Sequence, residues 1–411
     1  MPYADARRGA AALLLLALLL LTLPVSGVPA AEAPPATGGG PPPRIVAVAD
    51  IHGALDALKE ILRETGLIDR RGRWIGGDTT LVQTGDMIDR GADSLATVDF
   101  LMDLQREAPQ QGGEVIVLLG NHEILNLVMD LRDVTPRIAR SAAGGGARVK
   151  RIAYCNDLFS LIERQQGADW DSGDLGRNAF HARCVEETPR GLLEYIDLLG
   201  PDGRIGRWLR QLPAVARIGD WLFLHGGISP ELAGVEPERI NGRVEAEIAA
   251  FDDVRRFLLD RGEIVATSDL RAIHKAAARV HEAGDDLSPE RSAQLEEFAD
   301  LGQWWILDPD GPLWFRGYAY WTDDEGKDAL PKIFGPLGIQ HAAVGHTPQK
   351  SRTIEPRFDG RIFLLDTGML ESVYGGRPAA LDIRGERIYA VYRGGRERLA
   401  GPAADAADAE R

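Results

Sequence analysis

Aspartate, asparagine and histidine recur in five short segments between positions 50 and 347, and each segment follows an apolar run. They are Asp50-Ile51-His52-Gly53, Gly85-Asp86-Met87-Ile88-Asp89-Arg90-Gly91, Gly120-Asn121-His122-Glu123, His225-Gly226-Gly227 and Gly345-His346-Thr347. Standing alone, Asp-x-His or His-Gly-Gly occurs by chance and carries little weight. Five together are a different matter. Carboxylate, amide and imidazole donors without thiolate suit Mn, Fe or Zn, and a shared carboxylate can bridge two such ions about 3.5 to 4 Å apart. Asp86 is the natural bridge.

For these donors to converge, the elements before them must end at a common edge. In an open α/β sheet, ligands gather beyond the carboxyl ends of strands. Apolar runs at 44–49, 81–84, 115–119 and 221–224 predict such strands, and 54–65 predicts an amphipathic helix. The stretch 237–301 is charged and helical in pattern, an insertion or cap, and strands return near Gln340. A single site drawing on positions 50 to 346 implies one α/β catalytic unit, placed at 44–395, rather than several independent domains.

With 411 residues, 44% hydrophobic and 27% charged, the chain can bury a substantial core. Its formal net charge of -15 argues against a nucleic-acid-binding or anionic-membrane surface. Cations in the site would reverse that sign locally and make room for an anionic substrate.

At the N-terminus, Arg7 and Arg8 precede an apolar stretch from Ala10 to Leu23 and the small-residue pattern Val28-Pro29-Ala30-Ala31. The stretch is shorter than the roughly 20 residues of a membrane-spanning helix, so residues 1–30 read as a cleaved signal peptide. The expected location is outside the cytoplasm, periplasmic or secreted, with no stable membrane association after cleavage. Residues 31–43 form a Pro/Gly linker, and 396–411 are expected to be a disordered tail. Gly144-Gly145-Gly146 and the polar run 167–176 look like surface insertions. Cys155 and Cys184 are free to pair in an exported protein, closing a loop worth roughly 3 to 4 kcal/mol. The alternative is two buried thiols.

On these segments the chain resembles the calcineurin-like metallophosphoesterases and, within them, the phosphoprotein phosphatases. The stretches 126–132, Gly311-Pro312-Leu313-Trp314-Phe315-Arg316-Gly317, Gly345-His346-Thr347-Pro348 and Asp366-Thr367-Gly368-Met369 narrow the resemblance to the Shewanella-like protein phosphatases. The resemblance implies an α/β/β/α metallophosphatase sandwich, two central mixed sheets flanked by helices. It also implies that Asp50, His52 and Asp86 hold one metal ion and that Asp86, Asn121, His225 and His346 hold the second, with a bridging hydroxide. Ala49 departs from the glycine usual before Asp-x-His, and the toxin-binding motif of eukaryotic relatives is absent.

Arg90 follows the second aspartate of its segment, where phosphodiester-cleaving members of the superfamily generally lack an arginine. A monoester substrate is therefore implied, because planar guanidinium groups can grip two oxygens of a terminal phosphoryl group. By the same resemblance Arg316 supplies a second grip, alongside Asn121. His122, beside a ligand but not itself one, is expected to protonate the leaving oxygen, with Asp89 orienting its ring.

His274 and His281, seven apart on one helical face, read as a solvated face. Aromatic residues crowd around Arg316, from Trp304 to Trp321; such density usually means core. If part of the crowd rims the site, it would form a deep slot suited to a phosphotyrosine ring.

These readings lead to a metal-dependent phosphomonoester hydrolase acting on a phosphorylated protein or small phosphomonoester. Two other readings use the same ligands. One is a dinucleoside polyphosphate or nucleotide hydrolase, which needs a base pocket. The other is a catalytically silent module that binds phosphorylated ligands, against which His122, Asp89 and Arg90 argue together.

Overall fold

Strand β1 (Arg44–Val48) is buried along almost its whole length, with Val46 and Val48 on one face and Ile45 and Ala47 on the other. A strand apolar on both faces must be covered on both, and that requirement dictates the layers. The computed structural model describes residues 44–166, 176–284 and 287–401, all within one compact unit.

The first half alternates strand and helix: β1, α1 (Leu55–Glu64), β2 (Thr80–Gln83), α2 (Ser94–Glu107), β3 (Glu114–Val117) and α3 (Asn121–Leu127). A helical block follows, with α4 (Pro136–Ser141), α5 (Ala147–Gln166), α6 (Arg177–Glu187), α7 (Leu192–Leu199) and α8 (Arg204–Leu209). Next come the hairpin β4 (Val215–Ile218) and β5 (Trp221–Leu224), and a second helical block of α9 (Pro237–Asp260), α10 (Leu270–Ala283) and α11 (Pro289–Ala299). Two further helices, α12 (Gly317–Tyr320) and α13 (Asp323–Phe334), precede β6 (His341–Val344), β7 (Glu355–Arg357), β8 (Ile362–Leu364) and α14 (Glu371–Tyr374). The meander β9 (Ala379–Arg384), β10 (Arg387–Tyr392) and β11 (Gly395–Ala400) closes the fold.

The strands form two mixed sheets, ordered β11-β10-β9-β1-β2-β3 and β4-β5-β6-β8-β7. Within the first, β1, β2 and β3 are parallel; within the second, β5, β6 and β8 are. Ile45, Ala47 and Leu381 meet Trp221, Phe223 and Phe363 in the layer between the sheets. The opposite faces are covered by helices. Leu58, Ile61 and Leu62 of α1, at i, i+3 and i+4, are fully buried, each contributing about 1.5 to 3 kcal/mol. The result is the α/β/β/α sandwich.

Several expectations meet the structure here. The expected tail at 396–411 begins instead with β11, which pairs antiparallel with β10 across a turn at Arg393-Gly394. Its exposed Arg-Glu-Arg sequence carries no apolar signal, because an edge strand needs only backbone partners. The helical block between Pro136 and Leu209 has no counterpart in the expected order of elements; α5 and α6 bury few residues and carry weak periodicity. Cys155 of α5 and Cys184 of α6 form a disulfide. His274 and His281 reach Ala299 and Ser292, tying α10 to the α11 region. The signal-peptide and linker segments, nearly all of the polar run at 167–176, and the tail from 402 onward lie outside the described residues. Among the described residues, no helix is long and apolar enough to cross a membrane.

Candidate active site

Three parallel strands of each sheet deliver the site. Asp50 follows β1, Asp86 follows β2, Asn121 follows β3, His225 follows β5, His346 follows β6 and Asp366 follows β8. The strands end at one edge of both sheets, so the donors converge from two sides. The Nδ1 of His225 lies 2.9 Å from the carbonyl of Thr84, joining the second sheet to the first. The carboxylate of Asp50 accepts the backbone N–H of His346 at 3.0 Å.

The turns that make this convergence are strained. His52, Asp86, Asp89, Arg90 and His346 all have positive φ, between 47° and 70°. Non-glycine residues in that region cost roughly 1 to 3 kcal/mol each and persist only where the surroundings over-determine them. One such determinant is Glu123, whose buried carboxylate accepts backbone N–H groups of Asp86, Met87 and Gly120, each at 2.8 Å. Close approach also demands glycine: a Cβ on Gly85, at φ 93°, would lie 2.4 Å from the nitrogen of Gly120.

The donor set passes a chemical test for metal. His225 commits Nδ1 to a carbonyl, which leaves Nε2 facing Asn121 Oδ1 at 2.8 Å and Asp86 Oδ2 at 3.3 Å. His346 commits Nε2 to the carbonyl of Trp314, so its Nδ1 faces His225 Nε2 at 3.1 Å. His52 commits Nδ1 to the carbonyl of Ile88, so its Nε2 faces Asp86 Oδ2 at 3.6 Å. The acceptor atoms of His225, His346 and Asp86 thus face one another in a buried space, an arrangement that a positive charge between them relieves. Two clusters, His52-Asp86-His122 and Asp86-His225-His346, bring one ligand atom from each residue within 4.8 Å. Asp50 joins neither cluster at that distance, although its carboxylate lines the same cavity.

Burial and the neighbouring charges shift the proton affinities of these groups. Burial opposes a charge on His225, yet Asp86 and Asp50 overcome it and raise the imidazole to about 9. Burial lowers His52 to about 3, and burial together with His225 lowers His346 to about 2. Burial pushes Asp86 up, but His225 and His122 hold it well below the usual carboxylate range. Burial raises Asp50, and burial plus Asp50 raises Asp366 well above that range.

His122 stands apart from the other imidazoles. Its Nδ1 lies 2.8 Å from Asp89 Oδ2, and its Nε2 lies 3.9 Å from Asp86 Oδ2. Burial disfavours its charge, but Asp86 and Asp89 prevail and raise its pKa. Both carboxylates thus favour the imidazolium, the form that can donate a proton.

Above these residues lies a cavity of about 330 Å³ whose rim includes Arg90, Arg132, Trp314, Arg316 and Tyr374. Arg316 donates to the carbonyl of His346 at 2.8 Å and to Thr347 Oγ1 at 3.0 Å, which pins its guanidinium at the rim. Arg90 donates to His52 Nε2 at 2.7 Å and to the Tyr374 hydroxyl. Every site residue singled out from the sequence thus lies in or directly beneath this cavity. Of the aromatic crowd only Trp314 lines it, whereas Trp304, Phe315 and Tyr318 are core.

Glu123 and Tyr374 are site residues that the sequence reading does not pick out. Glu123 has a signal, since it stands three residues after Gly120 at the start of α3, where a side chain can reach back to the backbone. Tyr374 has none. It stacks on His52, with ring centroids 5.7 Å apart, across a sequence gap that no pattern bridges.

The family model for calcineurin-like phosphoesterases matches residues 43–350. Shewanella-like protein phosphatase 2 of Arabidopsis thaliana is 36% identical over 215 residues, covering 51% of this chain and 52% of that protein. A symmetrical bis(5'-nucleosyl)-tetraphosphatase of Neisseria gonorrhoeae is 25% identical over 211 residues, covering 51% and 53%. The chain therefore spans about half the length of these two relatives. The solved structure of a mutant cold-active protein tyrosine phosphatase superposes with a TM-score of 0.56 at 25% identity, covering 87% of this chain and 80% of that one.

Proposed function

The chain belongs to the calcineurin-like phosphoesterases, and from that premise we propose that it hydrolyses phosphomonoesters, with phosphorylated protein as the substrate class. The observation that carries this reading is the cavity that has converging metal donors at its floor and two guanidinium groups at its rim. A terminal phosphoryl group presents several charged oxygens, and Arg90 and Arg316 can each grip two of them.

Asp50, His52 and Asp86 would hold one cation; Asp86, Asn121, His225 and His346 would hold a second. Bound there, divalent ions such as Mn, Fe or Zn would lower the pKa of water towards neutrality and neutralise phosphoryl charge. Asn121 and the arginines orient the phosphoryl group. His122, held by Asp89, delivers its proton to the leaving oxygen. Trp314 and Tyr374 flank the entrance and fit an aromatic leaving group, which favours phosphotyrosine; the tyrosine phosphatase neighbour is consistent with that preference. Export is the matching location: the N-terminal pattern reads as a signal peptide, and disulfides such as Cys155–Cys184 persist in oxidising compartments.

A second reading, hydrolysis of a dinucleoside polyphosphate, is favoured by the bis(5'-nucleosyl)-tetraphosphatase relative. The test compares Mn-loaded protein with Asp86→Asn for phosphate release from phosphotyrosine, phosphoserine and phosphothreonine peptides and from a diadenosine polyphosphate. Peptide turnover abolished by the substitution supports the proposal, and equal rates on all three peptides refute the tyrosine preference. Cleavage of the dinucleotide alone moves the substrate to the second reading.

A further inference from the structure

Behind the paired His122 and Asp89 runs a buried chain of polar contacts that the chemistry above does not use. Asp89 Oδ2 accepts from His122 and also from Asn126 Nδ2 at 2.9 Å. Its other oxygen is buried with no hydrogen-bond partner, so Oδ2 alone steers the carboxylate. Asn126 Nδ2 also donates to the carbonyl of His122 at 2.9 Å, and Asn126 Oδ1 accepts the hydroxyl of Tyr195 at 2.9 Å. Asn126 is 1% exposed and Tyr195 fully buried. Tyr195 belongs to α7, in the helical block inserted between the two halves of the sandwich and packed against the disulfide-bonded α5.

We propose that Tyr195 is a positioning residue for the proton donor: through Asn126 it fixes the Asp89 carboxylate, and through Asp89 it aims the His122 ring at the leaving oxygen. The inference rests on the phosphomonoester hydrolase reading. A carboxamide rotates about its last bond with little to distinguish its two ends. The Tyr195 hydroxyl can only satisfy the oxygen end here, because Asp89 and the His122 carbonyl are both acceptors and claim the nitrogen. Without that hydroxyl, Asn126 keeps a buried oxygen with no donor and drifts towards whatever supplies one. Asp89 then loses its second anchor. Helix α7 thereby sets the geometry of a group that belongs to α3.

The experiment uses the full chain loaded with zinc and compares Tyr195→Phe, Asn126→Asp and, as a structural control, Tyr392→Phe, whose hydroxyl accepts from the backbone of Ile354 in the layer between the sheets. Hydrolysis is followed for alkyl phosphates and for aryl phosphates of increasing leaving ability. Protonation matters for a poor leaving group and little for a good one. The expected result for Tyr195→Phe is a fall in kcat of about 10- to 100-fold on alkyl esters. On the best aryl ester the fall stays within about threefold, with KM and zinc content unchanged. Asn126→Asp should steepen the same dependence if the tyrosine variant folds poorly, and Tyr392→Phe should leave it flat. The proton resonance of the His122 Nδ1–H should broaden or shift in both site variants. A loss of equal size on all esters, or an unmoved resonance, overturns the proposal. Absence of turnover by the unsubstituted chain on every ester would instead sink the hydrolase reading, and the resonance still decides the positioning.

Discussion

Gly345→Ala asks whether Asp50 must stand where the structure holds it. A Cβ built on Gly345 lies 2.2 Å from Asp50 Oδ1, with Thr84 Oγ1 at 3.2 Å and Ala49 Cβ at 3.3 Å. Real Cβ contacts essentially never fall under 3.0 Å, so the oxygen must retreat by at least 0.8 Å (3.0 minus 2.2). It cannot do so freely, because the same carboxylate accepts the His346 N–H at 3.0 Å. Metal coordination tolerates about 0.2 Å of error, and a misplacement near 1 Å costs about 100-fold in rate. Metal affinity should fall about 10- to 100-fold and kcat/KM about 100-fold, while overpacking costs about 1 to 3 kcal/mol of stability. Calorimetric titration with Mn, phosphate release and urea unfolding read the three quantities. Gly144→Ala is the control, since nothing lies within 4 Å of the added carbon. Unchanged Mn affinity and turnover in Gly345→Ala would refute the placement of Asp50 as a ligand.

Arg316→Ala should lower kcat/KM for a phosphomonoester by about 10- to 100-fold, the loss of about 1.5 to 3 kcal/mol of charged hydrogen bonding, with Mn binding unaffected in a titration. Replacing Cys155 and Cys184 together by serine should cost about 3 to 4 kcal/mol in chemical denaturation, because their sequence separation of 29 closes a loop of that entropic worth. His122→Ala should retain bound metal by elemental analysis and lose turnover; loss of metal would mean that His122 is a ligand after all. Burial pushes Asp382 up, but Arg44 at 2.8 Å and Arg384 outweigh it and hold its carboxyl below the ordinary value. Its stabilisation is therefore present above the unfolded pKa near 4 and lost as pH falls through the folded one. Asp382→Asn should cost about 3 kcal/mol at pH 7 in urea unfolding, and the difference from the parent should close as pH drops below 4.

The residue types and their places after apolar runs are legible in the sequence because both are local properties. Asp50, Asp86, Asn121, His225 and His346 each follow a strand whose burial pattern shows as an apolar run, and hard donors without thiolate announce the chemistry wherever they lie. Sandwich architecture comes from resemblance rather than from periodicity, since the pattern along β1 says that both faces are covered but not by what. Edge strand β11 escapes notice because backbone pairing leaves no apolar mark. The sequence is compatible both with the disulfide and with two thiols, since it does not place α5 beside α6.

What the sequence by itself determined is the inventory: which donors, which guanidinium groups, and that strand ends carry them. Tertiary structure alone decided which lone pair faces which. The Asp50–His346 contact spans 296 positions, His225–Thr84 spans 141 and Arg90–Tyr374 spans 284. Only packing of the two sheets face to face decides those distances. Glu123 as the organiser of the Asp86 turn, Tyr374 against His52 and Tyr195 behind Asn126 belong to the same class. Each depends on a side chain satisfying a buried polar group supplied by a remote element, and that demand exists only once the core has excluded water.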